Sequence, residues 1–144
     1  MEIKIMLDDG AIMPTRAHKA DAGLDLYSPH DWNLGARNST FLDYVTIDTG
    51  VHVQIPEGYV GFVKSKSGLM VRNNIVTDGT IDSGYTGSVK VKLFNHSYSE
   101  PYNIQRGDKI AQLVILPCIT PDPVLVDSFP VTERGDNGFG STGR

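Results

Sequence analysis

Apolar and polar residues alternate with a period of two along much of the chain. This is the pattern of a β-strand that buries one face. The alternating segments are 3–7, 51–55, 59–64, 89–94, 109–116 and 124–126, with Ile104 as a further strand position. Turn residues recur between them every ~8–12 residues, as in β-sandwiches and barrels. Pro56-Glu57-Gly58 separates two alternating segments and predicts a hairpin turn. The pattern therefore predicts an all-β fold.

A single stretch, residues 67–74, has helical character and room for two turns at most. Ser67 is a candidate N-cap, and Asn73 or Asn74 could adopt the left-handed conformation that ends helices. Residues 133–144 contain four glycines and one large apolar side chain, Phe139. Such a segment buries too little surface to be ordered alone. We therefore expect a β domain over residues 1–132 and a flexible tail over 133–144.

The composition agrees with strands and narrows the classes of function. Val, Ile and Thr total 34 of the 144 residues, against 10 for Ala and Glu, and β-branched residues favour strands. The net charge of −4 argues against duplex DNA binding through a basic face. Cys118 is the single cysteine, and no apolar run approaches the ~18–20 residues of a membrane span. We expect a cytoplasmic protein (host cytoplasm if viral) that binds neither nucleic acid nor membrane.

Two segments present carboxylates in settings that suit catalysis or metal binding. Asp82 and Tyr85 lie in the glycine-rich segment 79–87, just before a strong alternating strand. A carboxylate on a rigid hairpin there could orient a water or accept its proton, although aspartate is also an ordinary turn former. Asp25 lies among apolar residues in segment 22–26, where it either hydrogen-bonds into a turn or lies near a metal.

Three further segments could hold an anion. Segment 64–69 puts basic and hydroxyl side chains before the predicted helix, whose N-terminus favours phosphate. The tail contains Arg134, which can grip phosphate through two nitrogens, glycines that can form an anion-binding nest, and Phe139, which could stack on a planar ring. Gln112 is the odd polar residue of segment 106–113. A basic turn, a solubilising tail and a solvent-facing glutamine remain the alternatives.

Taken in order, segments 22–26, 65–69, 79–87, 106–113 and 134–143 resemble the five motifs of the trimeric deoxyuridine triphosphate nucleotidohydrolases (dUTPases). The resemblance covers nearly the whole chain. It implies a distorted, jelly-roll-like β-barrel and a homotrimer with active sites at the subunit interfaces. It also implies hydrolysis of dUTP to dUMP and pyrophosphate, with Mg²⁺ on the triphosphate.

The resemblance assigns a role to individual residues. Asp82 matches the acid that orients and deprotonates the attacking water, and Tyr85 matches the tyrosine against the deoxyribose. Asp25 matches the acid that approaches Mg²⁺ through coordinated water. The matched substrate contacts are Lys66, Ser67, Gly68 and Gln112 at the phosphates, Val76, Thr77, Gly79, Thr80 and Ile81 at the uracil edge, and Arg134, Phe139, Gly140, Ser141 and Thr142 in the tail. Of the tail residues, Arg134, Ser141 and Thr142 match γ-phosphate binders and Phe139 matches the ring that covers uracil.

One position departs from the family pattern. Lys66 stands where the second motif usually has arginine. Lysine keeps the charge but lacks the planar fork, so we expect a single-point phosphate contact there. Two other readings stay open: a dCTP deaminase of the same fold, and a non-catalytic nucleotide-binding trimer, including one that binds a protein repressor if it is phage-encoded. Residues 32–44 receive no role, and we expect a surface loop there.

Overall fold

Ten strands and one short helix make up the computed structural model, which describes residues 2–37 and 43–138. In chain order the elements are β1 (Lys4–Leu7), β2 (Gly23–Tyr27), β3 (Trp32–Leu34), β4 (Asp43–Gln54), β5 (Tyr59–Lys64), α1 (Ser67–Asn73), β6 (Ile75–Val76), β7 (Asp78–Ile81), β8 (Ser88–Asn95), β9 (Tyr102–Ile104) and β10 (Lys109–Pro117). No helix in the described part of the chain has the length and apolar character that a membrane span requires.

The strands form two antiparallel four-stranded sheets and one small strand pair. The first sheet has the order β1-β4-β8-β6, the second has the order β2-β10-β5-β7, and β3 pairs with β9. One apolar core draws alternate residues from both large sheets, among them Ile47 and Val91 from the first and Leu26 and Leu113 from the second. The jelly-roll-like all-β fold predicted from the sequence is confirmed. Strand pairing in the described ranges forms open sheets and does not close them into a barrel.

The hairpin predicted at residues 56–58 is wrong. A turn is present, since the Tyr59 N–H donates to the Pro56 carbonyl over 3.2 Å, but β4 and β5 belong to different sheets. A Cβ built on Gly61 in β5 would lie 2.5 Å from the Ile55 side chain. The two segments therefore meet face to face across the core and do not pair edge to edge. The segment 79–87 likewise connects the two sheets, because β7 pairs with β5 while β8 pairs with β4 and β6.

Two local predictions fail at the helix and near the C-terminus. The N-cap of α1 is Lys66, which makes no side-chain capping bond, and Ser67 is the first helical residue. The predicted left-handed end is confirmed at Asn74, with φ of 56°. Residues 124–126 are not a strand, and Leu125 is 98% exposed. This apolar segment pairs with no strand in the described part of the chain.

Candidate active site

Asp82 and Tyr85 lie in a tight turn directly after β7, which is the edge strand of its sheet. The Tyr85 N–H donates to the Asp82 carbonyl over 3.0 Å, and the Tyr85 hydroxyl donates to the Ser88 carbonyl over 2.9 Å. A Cβ built on Gly87 would lie 2.4 Å from that hydroxyl oxygen. Glycine at position 87 therefore leaves room for the tyrosine side chain to fold back over the turn.

A cavity of about 220 Å³ opens beside this turn. It is lined by Val63, Gly79, Thr80, Ile81, Asp82, Tyr85, Val89 and Lys90. Gly79 to Ile81 pair with β5 on one side only in the described ranges, so the outer backbone groups of β7 can bond a planar ligand as a further strand would. The structure thus brings together Asp82, Tyr85 and most of the backbone segment that the family resemblance assigned to nucleoside binding.

Thr77 is placed differently from its neighbours in the predicted uracil-reading segment. The Ser65 hydroxyl donates to the Thr77 carbonyl and accepts from the Thr77 N–H, both over 2.8 Å. Both backbone groups of Thr77 are thereby used inside the protein, and its own hydroxyl is buried with no partner in the described structure. Ser65 therefore fixes the approach to β7, and Gly79 to Ile81 are the part of the segment left open at the edge.

Asp25 lies in the middle of β2 and is only 6% exposed. Its Oδ1 accepts a short hydrogen bond from the Lys66 ammonium, and its Oδ2 lies 2.8 Å from the Lys109 Nζ. Burial alone would raise the pKa of Asp25, but the hydrogen bonds and charges of Lys109 and Lys66 outweigh burial and hold its pKa below the ordinary 3.8. The same pairing raises the pKa of Lys109.

The three charged groups border a second cavity of about 320 Å³, together with Gln112 and Gly23. Gln112 lies opposite Asp25 in the pairing of β10 with β2, and its side-chain amide donates to the Ser65 carbonyl over 3.3 Å. A Cβ built on Gly23 would lie 2.7 Å from the Gln112 side-chain oxygen. The cavity presents an amide and two ammonium groups, which can bind an anion such as phosphate, and also the carboxylates of Asp25 and Asp21, which offset the charge of the lysines.

Replacing Asp25 by asparagine tests the electrostatic role of this triad. A carboxyl whose pKa is lowered on folding stabilises the native state above its unfolded pKa, and this stability is lost as pH falls through the folded pKa. We expect Asp25→Asn to cost about 1–2 kcal/mol at neutral pH, because the lysines are partly exposed. The cost should shrink below about pH 4.

Urea unfolding between about pH 3 and pH 7 measures this difference. Asp9→Asn, which changes an exposed carboxyl in the turn after β1, serves as the control and should leave the curve unchanged. An Asp25→Asn deficit that is equal at all pH values would contradict the assigned ion pairs.

The remaining predicted contacts are spread along the chain. Ser67 and Gly68 are exposed at the start of α1, next to Lys66. Arg134 is exposed, and its Nε donates to the Asn137 carbonyl over 3.1 Å; it lines neither of the two cavities. The assignments to Phe139, Gly140, Ser141 and Thr142 lie outside the described residues.

Sequence reasoning missed Lys109 and Ser65 as parts of the site. Lys109 is the first residue of β10 and pairs with Tyr27 of β2. The register of the two strands shifts between Lys109 and Ala111, and the Lys109 ammonium reaches Asp25. Ser65 joins the segment before α1 to Thr77, 12 residues away. Both belong to segments that the sequence had singled out, but neither contact follows from local pattern.

The donor set around Asp25 fits a magnesium ion that arrives with a nucleotide. The described residues contain no cluster of three or more side chains that could hold a metal by themselves. Mg²⁺ commonly binds through one or two carboxylates, waters and substrate phosphates. Asp25 supplies one carboxylate, whose two oxygens each accept from one lysine and keep a further lone pair for a metal-bound water.

Comparisons with known proteins agree with this geometry. The dUTPase family model matches residues 9–143. A deoxyuridine 5'-triphosphate nucleotidohydrolase of Mycolicibacterium gilvum is 43% identical over 147 residues, covering 96% of this chain and 92% of the relative. The corresponding protein of Cutibacterium acnes is 42% identical over 134 residues, covering 91% of this chain and 85% of the relative.

Solved structures give the same result. The dUTPase of Staphylococcus bacteriophage 80alpha with dUPNHPP has a TM-score of 0.90 and 34% identity, covering 99% of each chain. A variant dUTPase from phage phi11 of S. aureus, described as revealing the coordination of a structural Mg(II) ion, has a TM-score of 0.81 and 32% identity, covering 91% of this chain and 100% of that one. This chain belongs to the dUTPase family.

Proposed function

We propose that the protein hydrolyses dUTP to dUMP and pyrophosphate, by attack of a water on the α-phosphorus while pyrophosphate leaves. The reaction would limit uracil incorporation into DNA and supply dUMP. The observation that carries the proposal is the single cavity holding Asp82, Tyr85 and the open edge of β7. A carboxylate can hold a water, an aromatic ring can pack against a deoxyribose, and unpaired backbone groups can hydrogen-bond the edge of a pyrimidine.

In this proposal the edge of β7 reads the base. The outer backbone groups of Gly79 to Ile81 bond the donor and acceptor pattern of uracil, which differs from that of cytosine. Tyr85 lies against the deoxyribose, where a 2′-hydroxyl would meet its ring. Asp82 holds the attacking water and takes its proton as the bond to phosphorus forms. The close backbone of the turn leaves little space for the additional methyl group of thymine.

The triphosphate lies toward the Asp25 cavity, with Lys66, Ser67, Gly68 and Gln112 as its contacts. Lys66 uses one of its three N–H donors on Asp25 and can turn another toward a phosphate oxygen, while Lys109 keeps Asp25 partly neutralised. A bound Mg²⁺ would neutralise charge on the phosphate oxygens, and Asp25 would hold one of its waters. The rest of the catalysis is positioning, which these side chains supply.

Residues 133–144 act as a lid in this account. Arg134, Ser141 and Thr142 would bind the γ-phosphate, Phe139 would cover the uracil, and Gly140 would let the backbone approach closely. Closing such a lid excludes bulk water from the reacting phosphate. Arg134 lines neither cavity in this structure, so closure requires the tail to move.

We infer that three copies assemble with their sites at the interfaces. The segment before the tail supports this, because it exposes a series of apolar side chains that a second copy could cover. They are Ile119, Val124, Leu125, Val126, Phe129 and Val131. A cytoplasmic location suits the nucleotide substrate. A protein partner is a further possibility for a phage-encoded chain, since the dUTPase of phage 80alpha is described as controlling transfer of virulence genes.

Hydrolysis in ¹⁸O-labelled water tests the proposed reaction. Attack at the α-phosphorus places the label in dUMP and none in pyrophosphate, as mass spectrometry of the two products would show. Label in pyrophosphate would mean attack at the β-phosphorus and would remove Asp82 from the position assigned to it. Release of ammonia without pyrophosphate would show a deaminase.

A further inference from the structure

His52 in β4 connects the active-site turn to the first strand. Its Nδ1 lies 2.8 Å from the Thr86 carbonyl oxygen, one residue beyond Tyr85. Its Nε2 lies 3.2 Å from both carboxylate oxygens of Asp8, which follows β1. A backbone carbonyl and an ionised carboxylate accept hydrogen bonds and cannot donate them. Both ring nitrogens must therefore carry a proton to satisfy both contacts, which makes His52 an imidazolium.

We propose that protonated His52 is a positioning residue, which holds the Asp82–Tyr85 turn in its substrate-binding conformation and weakens dUTP binding when it loses its proton. The inference rests on the proposed function, in which this turn binds the nucleoside and the attacking water. His52 itself does not line the cavity that contains Asp82. It acts on the substrate through the backbone of Thr86.

The charged groups around His52 favour its protonated form. Asp8 comes from the end of β1, and Asp48 from the same strand as His52. Lys4 of β1 and His52 line one cavity. The Lys90 Nζ of β8 lies 3.8 Å from the Asp48 Oδ2 and balances part of the charge of Asp48. The hydrogen bonds to Thr86 and then Asp8, with the nearby negative charges, raise the pKa of His52 above the ordinary 6.5.

Loss of one proton breaks one of the two contacts. A neutral imidazole has one N–H and one lone pair. The ionised carboxylate of Asp8 is a stronger acceptor than a backbone carbonyl, so the remaining proton stays on Nε2 and the Thr86 carbonyl faces the lone pair of Nδ1. The other end of the turn keeps its support, because the Tyr85 hydroxyl still bonds Ser88 and the Ser88 hydroxyl still donates to Asp48. Deprotonation therefore loosens the turn at Thr86 without unfolding it. We expect KM for dUTP to change more than kcat.

Two substitutions separate this role from a merely structural one. His52→Asn puts an amide nitrogen close to the place of Nδ1, so it can donate to Thr86 and does not titrate. His52→Leu fills similar space and donates nothing. The ionisation of dUTP affects the wild type and both variants equally. Differences between the three pH profiles therefore report on His52 alone.

The experiment measures kcat and KM for dUTP from about pH 6 to pH 9, the range in which a raised histidine titrates. In the wild type, KM should rise about fivefold relative to His52→Asn as pH increases, which is the factor an ordinary hydrogen bond contributes. His52→Leu should show the high KM at every pH. Equal pH dependence in the wild type and His52→Asn would overturn the proposal.

Nuclear magnetic resonance of the wild-type protein gives a readout independent of activity. The His52 ring should titrate above 6.5, with both N–H protons visible at lower pH. A ring that is neutral at pH 6 would refute the inference and leave the proposed reaction untouched. Absence of dUTP hydrolysis by the wild-type protein would instead remove the proposed function, whatever the state of His52.

Discussion

Asp82→Asn is expected to lower the turnover of dUTP by about 10²–10⁴-fold, the usual contribution of a positioned general base. Asparagine has nearly the same shape but no carboxylate to take the proton of the attacking water. The turn should survive the change, because the Tyr85 N–H donates to the backbone carbonyl of residue 82 and not to its side chain. Affinity for a non-hydrolysable dUTP analogue should therefore stay within a few-fold.

Stopped-flow measurement of pyrophosphate release gives the turnover, and calorimetric titration with the analogue gives the affinity. Asp9→Asn is a suitable control, because it changes an exposed aspartate in a turn after β1, remote from both cavities. It should retain wild-type turnover. An Asp82→Asn protein with full activity would eliminate Asp82 as the base, and a loss of analogue binding equal to the loss of turnover would make its role structural.

Ending the chain after Thr132 is expected to lower kcat/KM by at least about 10²–10³-fold, the typical effect of removing groups that stabilise developing charge. The truncation removes Arg134, the one assigned contact of the tail that lies within the described residues, along with the hydroxyls and the ring assigned to the γ-phosphate and the uracil. The core is untouched, since every buried apolar residue of the described structure precedes residue 118.

Sedimentation and urea unfolding of the truncated protein provide the controls. The oligomeric mass and the unfolding midpoint should equal those of the full chain at matched protein concentration. Within the full chain, Arg134→Lys keeps the charge but loses the two-nitrogen grip on phosphate, and should give an intermediate defect. A truncated protein with full activity would remove the lid from the mechanism, and a truncated protein that is monomeric would show that the tail also serves assembly.

Strands such as β5 and β8 were predictable because they bury alternate residues, and apolar and polar residues alternate accordingly. β2, β3, β6 and β7 lie outside the segments predicted as strands. The surface loop expected over residues 32–44 is wrong at β3, where Leu34 is buried in the core. The alternating residues of β4, β8 and β10 do point into the core, as Ile47, Val91 and Leu113 show. Alternation does not record which strand lies beside which. That is why residues 56–58 predicted a hairpin although β4 and β5 lie in different sheets.

The sequence alone identified segment 79–87, the third of the five motifs, because its candidate functional residues lie close together in the chain. Asp82 and Tyr85 are three residues apart and share one turn. The contacts that tune the site are remote in sequence: Lys66 is 41 residues from Asp25, and His52 is 34 residues from Thr86. Only the pairing of the strands brings these side chains together, so no local pattern predicts them.

Residues 124–126 were predicted as a strand that the structure does not contain. Val124, Leu125 and Val126 are apolar, and the two valines are β-branched as strand residues often are, yet all three are exposed in this structure. A strand is stable only when its backbone and its apolar face both find partners. Local propensity carries no information about either kind of partner. The sequence pattern alone therefore could not show that both are missing from the described part of the chain.

Pyrophosphate release from the purified protein with Mg²⁺, compared across dUTP, dCTP, dTTP and UTP, measures the proposed reaction and its substrate preference together. We expect rapid release from dUTP and, for each of the other three, release slower by at least about 10²-fold, because each one leaves a polar group unpaired or places an additional group against the turn. Comparable release from UTP would contradict the role of Tyr85, and comparable release from dCTP would contradict base reading by β7. No release from any of the four would contradict the proposed reaction itself.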